Sequence, residues 1–305
     1  MTEARANPVW RSLLYVPANV PRFVDKAHER GADAIIIDIE DSVIPAEKPA
    51  ARRLVPEVAA KVGRAGADVL VRINRPWRLC LADLEAVVSP AVAALVLPKA
   101  VDASHVRTID EVVTELEAER GIAAGHTRFF VLVETADAFF RLREIAGASP
   151  RNVGLSLGSE DFALDVAMAP EVDGLFQPTM ESVFAARAAG IMPLGFIGSL
   201  AQFGDIAAFR AMIERSAKLG FDGASCIHPT QVPVLNECYG TSLAAVDYAR
   251  RVIEANEKAK ADGRGSFQLD GKMIDIPIVV RAERLIARHR AIEARIAKAS
   301  AALGR

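Results

Sequence analysis

The sequence predicts an α/β protein, a (β/α)8 barrel of the TIM type with a C-terminal helical extension, and three observations carry that prediction. Short apolar runs rich in Val, Ile and Leu alternate with longer amphipathic segments, the pattern of parallel strands joined by crossover helices. The runs number eight, and polar residues collect where they end, as at the carboxyl face of such a barrel. The length, 305 residues, suits one barrel with an appended segment.

Taken in order, strands are predicted at 13–16, 34–39, 69–73, 94–97, 129–133, 153–157, 194–197 and 223–227. The seventh is the weakest signal, being flanked by Pro193 and Gly198 and interrupted by Gly195. Helices are predicted at 22–30, 104–119 and 206–219, the first and last closed by Gly31 and Gly220, which can take the left-handed capping conformation. A further helix, 46–62, carries Pro49 as an early-start signal and Pro56 as a break or kink. Beyond the eighth strand come a helix at 243–261, a Gly-containing stretch at 262–272 and a basic helix at 277–302. The division expected is therefore a catalytic barrel over 1–238 and a helical extension over 239–305.

Composition narrows the function classes. Hydrophobic residues make up 51% and charged residues 25%, as in a soluble globular protein, and a formal net charge of −2 argues against a nucleic-acid partner. Residues 1–10 lack the apolar core of a signal peptide and no apolar run reaches the length of a membrane span, so a cytoplasmic protein without a membrane partner is expected. Cys80, Cys226 and Cys238 show no C-x-x-C pairing, so reduced, mostly buried thiols are expected.

The chemistry is sought at the strand ends. By the two-residue period, Ile36, Asp38 and Glu40 share one face of the second strand. The third strand offers Leu70, Arg72 and Asn74, the fourth Leu95, Leu97 and Lys99, the fifth Phe130, Leu132 and Glu134, and the sixth Leu155, Leu157, Ser159 and Asp161. Any one carboxylate there can equally cap the following helix. Glu134 and Asp161, on adjacent strands, supply hard oxygen ligands suited to Mg²⁺ or Mn²⁺. Arg72 suits both substrate contact and neutralisation of Glu40 or Asp41. Lys99, after Pro98, fits a salt-bridging or anion-contacting role better than a Schiff base. The turn Gly158-Ser159-Glu160-Asp161 can hold a substrate carboxylate on its amides, or Ser159 can simply cap a helix. His228 reads as a hydrogen-bonded turn residue, and the other histidines share no metal-ligand spacing. The glycines form neither G-x-G-x-x-G nor a P-loop, which disfavours a dinucleotide site.

Seven segments in this order resemble the HpcH/HpaI aldolase and citrate lyase β-subunit superfamily, most closely its malyl-CoA or citramalyl-CoA lyase branch, over nearly the whole chain. They are Arg11-Ser12-Leu13-Leu14-Tyr15-Val16-Pro17-Ala18, Asp38-Ile39-Glu40-Asp41-Ser42-Val43, Val71-Arg72-Ile73-Asn74, Leu97-Pro98-Lys99, Val133-Glu134-Thr135-Ala136, Gly158-Ser159-Glu160-Asp161 and Cys226-Ile227-His228-Pro229. The resemblance implies that Glu134 and Asp161 bind Mg²⁺, that Arg72 contacts the reacting oxygen and that Gly158 to Asp161 hold the substrate carboxylate. It further implies that Glu40 stands behind the metal waters and Arg72, and that Arg11 and Tyr15 border the coenzyme A thioester; the cation of Lys99, by its charge, also suits a position facing that thioester. The segment Gly271-Lys272-Met273-Ile274-Asp275-Ile276-Pro277 looks like the lid of the CoA lyases, making Asp275 the candidate proton carrier in preference to the simpler role of starting the last helix. The segment 193–199 departs from the usual pattern of that branch.

The expected activity is Mg²⁺-dependent cleavage of a 3-hydroxyacyl-CoA thioester, of citramalyl-CoA or malyl-CoA type, to acetyl-CoA and a small 2-oxo acid. The alternatives are a citrate lyase β-subunit acting on a citryl acyl-carrier-protein thioester, a malyl-CoA thioesterase and a class I aldolase using Lys99. A homo-oligomer, trimer or hexamer, is what the resemblance implies.

Overall fold

The computed structural model describes residues 7–198 and 205–304. They divide into two compact units, Met1–Tyr239 and Gly240–Arg305. The first contains eight parallel strands: β1 Ser12–Pro17, β2 Ala34–Asp38, β3 Asp68–Arg72, β4 Ala94–Leu97, β5 Arg128–Val133, β6 Asn152–Leu157, β7 Met192–Pro193 and β8 Ala224–Cys226. Its α-helices are α1 Pro21–Ala27, α2 Lys48–Gly63, α3 Trp77–Val87, α4 Ala103–Glu119, α5 Ala136–Phe139, α6 Leu142–Ala146, α7 Ser159–Asp165, α8 Val172–Ala188, α9 Ile206–Lys218 and α10 Gln231–Cys238.

The strands run side by side in the order β7-β6-β5-β4-β3-β2-β1-β8, with β8 returning to β1 through Ser12↔Ala224. The ring closes between β7 and β8 through the parallel bridge Leu194↔Gly223, flanked by Gly195 N donating to Gly223 O (2.8 Å) and Asp222 N donating to Pro193 O (3.0 Å). The fold is thus the (β/α)8 barrel that the alternation predicts, because strands buried on both faces need helices outside and packed side chains inside. Leu13, Ala34, Ile36, Leu70, Val96, Phe130 and Leu132 fill the interior, over Trp10. A larger layer, including Ile35, Ile37, Val71, Leu95, Leu97 and Val131, packs with the surrounding helices.

Local departures from expectation have physical causes. β7 is two residues, Met192–Pro193, rather than 194–197, because Gly195 (φ 134°) and Gly198 (φ 141°) leave the extended region. Ser199, the end of the predicted 193–199 segment, lies outside the described residues. Pro49 sits in the first turn of α2, as its missing N–H favours, but Pro56 does not break that helix, which continues to Gly63. The three cysteines are free thiols, and burial pushes those of Cys80 and Cys226 up to about 12.

The second unit holds α11 Leu243–Ala261, β9 Phe267–Leu269, β10 Lys272–Ile274 and α12 Ile276–Ala302, around Ala249, Val252, Ile274, Val279 and Ala282. The antiparallel hairpin replaces part of the expected irregular stretch. Its turn is Asp270-Gly271 with φ of 50° and 74°, the left-handed pair that a two-residue hairpin requires. No helix among the described residues is long and apolar enough to cross a membrane.

Candidate active site

Parallel strands deliver all their carboxyl ends to one mouth. There a cavity of about 660 Å³ opens, lined among others by Tyr15, Asp38, Arg72, Glu134, Ser156, Gly158 to Asp161, Phe196 and His228. That volume lies in the range of small-molecule sites.

One wall is an ion cluster centred on Arg72, the last residue of β3. Its Nε donates to Asp38 Oδ1 (2.8 Å) and its Nη2 to Asp38 Oδ2 (2.6 Å), a bidentate pair across the final β2–β3 register position. Nη1 lies 3.2 Å from Glu40 Oε2 and 3.6 Å from Asp41 Oδ2, and the guanidinium stacks 4.8 Å from the Tyr15 ring. Lys99 Nζ donates to Glu40 Oε1 (2.7 Å) and Asp41 Oδ1 (3.2 Å). Burial alone would raise the Asp38 carboxyl, but the hydrogen bonds and charge of Arg72 carry it below its ordinary value. At Glu40 burial wins over Arg72 and Lys99, and the carboxyl is raised. Its buried Oε2 has the Arg72 charge beside it but no aligned donor, so it can still accept a hydrogen bond. Burial opposes the charge on Lys99, yet Glu40, Asp41 and Glu134 hold its ammonium above the ordinary lysine value.

The other wall is built around Glu134, which follows β5. Its Oε2 accepts from Lys99 N (2.7 Å), an amide turned inward because Lys99 adopts φ 50°. Such a backbone is sparsely populated for a residue with a side chain, and here it aims a donor into the site. Glu134 passes so close to Gly158 that a Cβ there would stand 2.5 Å from its Cγ and 2.8 Å from its Oε1. Burial, then the negative charges of Asp161 and Glu40, push Glu134 up to about 8. A buried carboxylate destabilised by its acidic neighbours is a natural seat for a cation. Among the described residues no three or more His, Cys, Asp or Glu side chains are grouped so that they could hold one metal ion. Mg²⁺ commonly takes one or two carboxylates and completes its shell with water and substrate oxygens, so Glu134 and Asp161 fit that ion.

The structure therefore brings together Tyr15, Glu40, Arg72, Lys99, Glu134, Gly158, Ser159, Glu160 and Asp161. Ser159 does not cap α7; Gly158 occupies that position without a side-chain cap. Arg11 is a correction: it precedes β1 at the opposite, amino end of the barrel, where Nε and Nη2 donate to Asp33 Oδ2 (2.8 Å) and Oδ1 (2.9 Å). It is a structural ion pair and does not border the cavity. The faces assumed for two strands are also corrected. Leu95 and Leu97 of β4, and Leu155 and Leu157 of β6, belong to the outer layer. Gly154 faces the interior, where an added Cβ would meet Leu194 and Phe130, and Ser156 lines the cavity. Lys99 reaches the site through its own turn, and Ser159 and Asp161 through the change from strand to helix. Asp275 belongs to the second unit, where it caps α12 by accepting from Ile278 N (3.4 Å).

His228 lines the cavity in a hydrogen-bonded turn, its Nδ1 paired with Thr230 Oγ1 (2.7 Å). Sequence reasoning missed Asp38 as the principal partner of Arg72, although the shared strand face was its signal. It also missed Ser156 and two cations of the cavity wall, Arg22 and Arg30, for which helix-borne arginines give no distinguishing pattern.

The chain is similar in sequence and in fold to known proteins. The chain is 34% identical over 279 residues to the citrate lyase subunit beta of Leuconostoc mesenteroides subsp. cremoris, covering 90% of this chain and 92% of that one. It is equally 34% identical over 299 residues to the L-malyl-CoA/beta-methylmalyl-CoA lyase of Rhodobacter capsulatus, covering 90% and 93%. Among solved structures it resembles protein CitE from Mycobacterium tuberculosis in complex with magnesium, acetoacetate and coenzyme A, with a TM-score of 0.70, 29% identity and coverage of 93% of this chain and 99% of that one. With residues 11–229 matching the family description, the chain belongs to the HpcH/HpaI aldolase/citrate lyase family.

Proposed function

We propose that the chain is a carbon–carbon lyase that cleaves a 3-hydroxyacyl-CoA thioester of the citramalyl-CoA or malyl-CoA type to acetyl-CoA and a 2-oxo acid. The observation that carries this reading is the buried Glu134, raised to about 8 beside Asp161, facing the same cavity as the clamped Arg72. Glu134 and Asp161 would hold Mg²⁺, with Mn²⁺ as an alternative, and the ion when bound supplies Lewis-acid polarisation of substrate oxygens.

The remaining work falls to the chain's own side chains. Arg72, fixed in orientation by Asp38, stabilises negative charge developing on the reacting oxygen without reorganising. Glu40 Oε2, buried and without a hydrogen-bond partner, would accept a hydrogen bond from the substrate hydroxyl on that side. The first-turn amides of α7, which have no intrahelical acceptor, receive the substrate carboxylate between Gly158 and Asp161. Arg22 and Arg30, with Tyr15, offer the cavity's cationic and aromatic contacts to coenzyme A. Asp275 exchanges the proton at the acetyl carbon, acting across a subunit boundary in a homotrimer or hexamer of this cytoplasmic enzyme. Lys99, held charged by its carboxylates, is poorly suited to a Schiff base, which needs a neutral amine.

A second reading, an acyl-carrier-protein thioester as substrate, is supported by the citrate lyase beta subunits among the relatives. The test is product formation from citramalyl-CoA and malyl-CoA by the purified chain, with Mg²⁺ and with EDTA. Metal-dependent acetyl-CoA with pyruvate or glyoxylate is expected; release of free CoA would instead indicate a thioesterase, and no cleavage of either would favour the carrier-protein substrate.

A further inference from the structure

Outside the cavity, behind the end of β2, lies a buried polar network that the reaction scheme does not use. The β2–β3 ladder ends where Ile39 N donates to Arg72 O (3.3 Å). In a parallel ladder the next bond would run from Asn74 N to Ile39 O. Instead Asn74 N turns away to Asp83 Oδ2 (2.8 Å), and the Asn74 side chain takes its place, Nδ2 donating to Ile39 O (3.0 Å) and also to Asp83 Oδ2 (2.8 Å). Asp83, on α3 and wholly buried, is neutralised by Arg52 Nε of α2 (2.6 Å). Lys48 Nζ then donates both to Asn74 Oδ1 and to Glu40 O (2.8 Å).

We propose that Asp83, Asn74 and Lys48 are positioning residues that replace the missing sheet bonds and set the height at which Glu40 meets Arg72 and Lys99. Ile39 and Glu40 lie beyond the last paired residue of β2, so without these bonds the Ile39 carbonyl would be unanchored and the Glu40 carbonyl would keep only its turn bond from Val43 N (3.2 Å). Glu40 stands at the point where such play matters, because Arg72 Nη1, from β3, and Lys99 Nζ, from the turn after β4, lie 3.2 Å and 2.7 Å from its carboxylate. From inside the turn Asp38 Oδ1 receives Glu40 N (2.9 Å), so the residue is held on both sides. A network that served only to fasten α2 and α3 would have no need to grip those two carbonyls.

The proposal rests on the lyase reading of this site, and its test separates the two. Lys48→Met should lower kcat for thioester cleavage about 10–100-fold, with KM within about threefold of wild type, the size expected when a supporting shell loosens. Lys48→Arg should recover most of that loss, and Tm should fall little in either variant. Asn74→Ala should give the same split between kcat and KM. An inactive wild-type chain would overturn the lyase reading and this proposal with it. With an active wild type, an unchanged kcat in Lys48→Met and Asn74→Ala, or a loss that follows Tm and is not recovered by Lys48→Arg, would overturn this proposal alone.

Discussion

Glu134 brings opposing demands into one side chain, since the fold buries it while the proposed chemistry needs it ionised beside a cation. Its carboxyl is raised from the ordinary glutamate value of 4.5 to about 8, chiefly by burial and then by Asp161 and Glu40. The folded protein therefore retains a proton that the unfolded chain releases, and between those two values stability falls as pH rises. For the metal-free chain, Glu134→Gln should leave Tm nearly unchanged near pH 4.5 and raise it above wild type near pH 8, as read by thermal scans in EDTA. Saturating Mg²⁺ should reverse the order at the higher pH by stabilising the wild type alone. Arg72 presents the complementary case, a cation whose geometry matters more than its charge. Arg72→Lys keeps the charge but loses the fork that grips Asp38 through Nε and Nη2, so kcat/KM should fall by about 10²-fold or more in steady-state assays.

Between strand and helix, the crossing of Glu134 over Gly158 shows how a small residue fixes a site. An added Cβ at Gly158 would meet Glu134 at 2.5 Å, so Gly158→Ala should push the carboxylate aside and weaken Mg²⁺ binding at least about tenfold by calorimetric titration, with the barrel still folded. Elements of this kind were unevenly legible in the sequence. In β2, β3 and β5 the inward apolar residues Ile36, Leu70 and Leu132 lead by twos to Asp38, Arg72 and Glu134, and the change to polar residues marks the mouth. In β4, Ala94 and Leu95 are both apolar, as a strand buried on two faces requires, so its phase could not be chosen. Lys99 was found for the wrong reason, its inward amide depending on a positive φ that a lysine does not announce. The Asp270-Gly271 pair carried a hairpin-turn signal that the reading of 262–272 as an irregular stretch passed over, and β7 was obscured by glycines that end it early.

At the scale of the molecule, the barrel depends on a closure that uses little backbone. Gly223 passes Trp10 so tightly that a Cβ would lie 1.8 Å from its carbonyl oxygen, against backbone that cannot rotate away. Gly223→Ala should therefore cost several kcal/mol, or about the whole margin of a typical domain, and appear as loss of folded protein in denaturant titration. The strands from β2 to β7 each pair with the preceding one in the chain, whereas β8 must find β1, matching Ala224 to Ser12. That long loop carries the larger entropic cost, so its contacts are expected late in folding and early in opening. In amide hydrogen exchange, Gly195 and Asp222, whose bonds to Gly223 and Pro193 close the ring, should lose protection before Ile73, which bonds to Val96 in the middle of the sheet. A chain emerging from the ribosome would carry two open sheet edges until Cys226 has cleared the exit, and during that interval those edges are free to pair with other chains. The yield of folded protein should consequently depend on synthesis rate and temperature more than on the stability of the finished barrel.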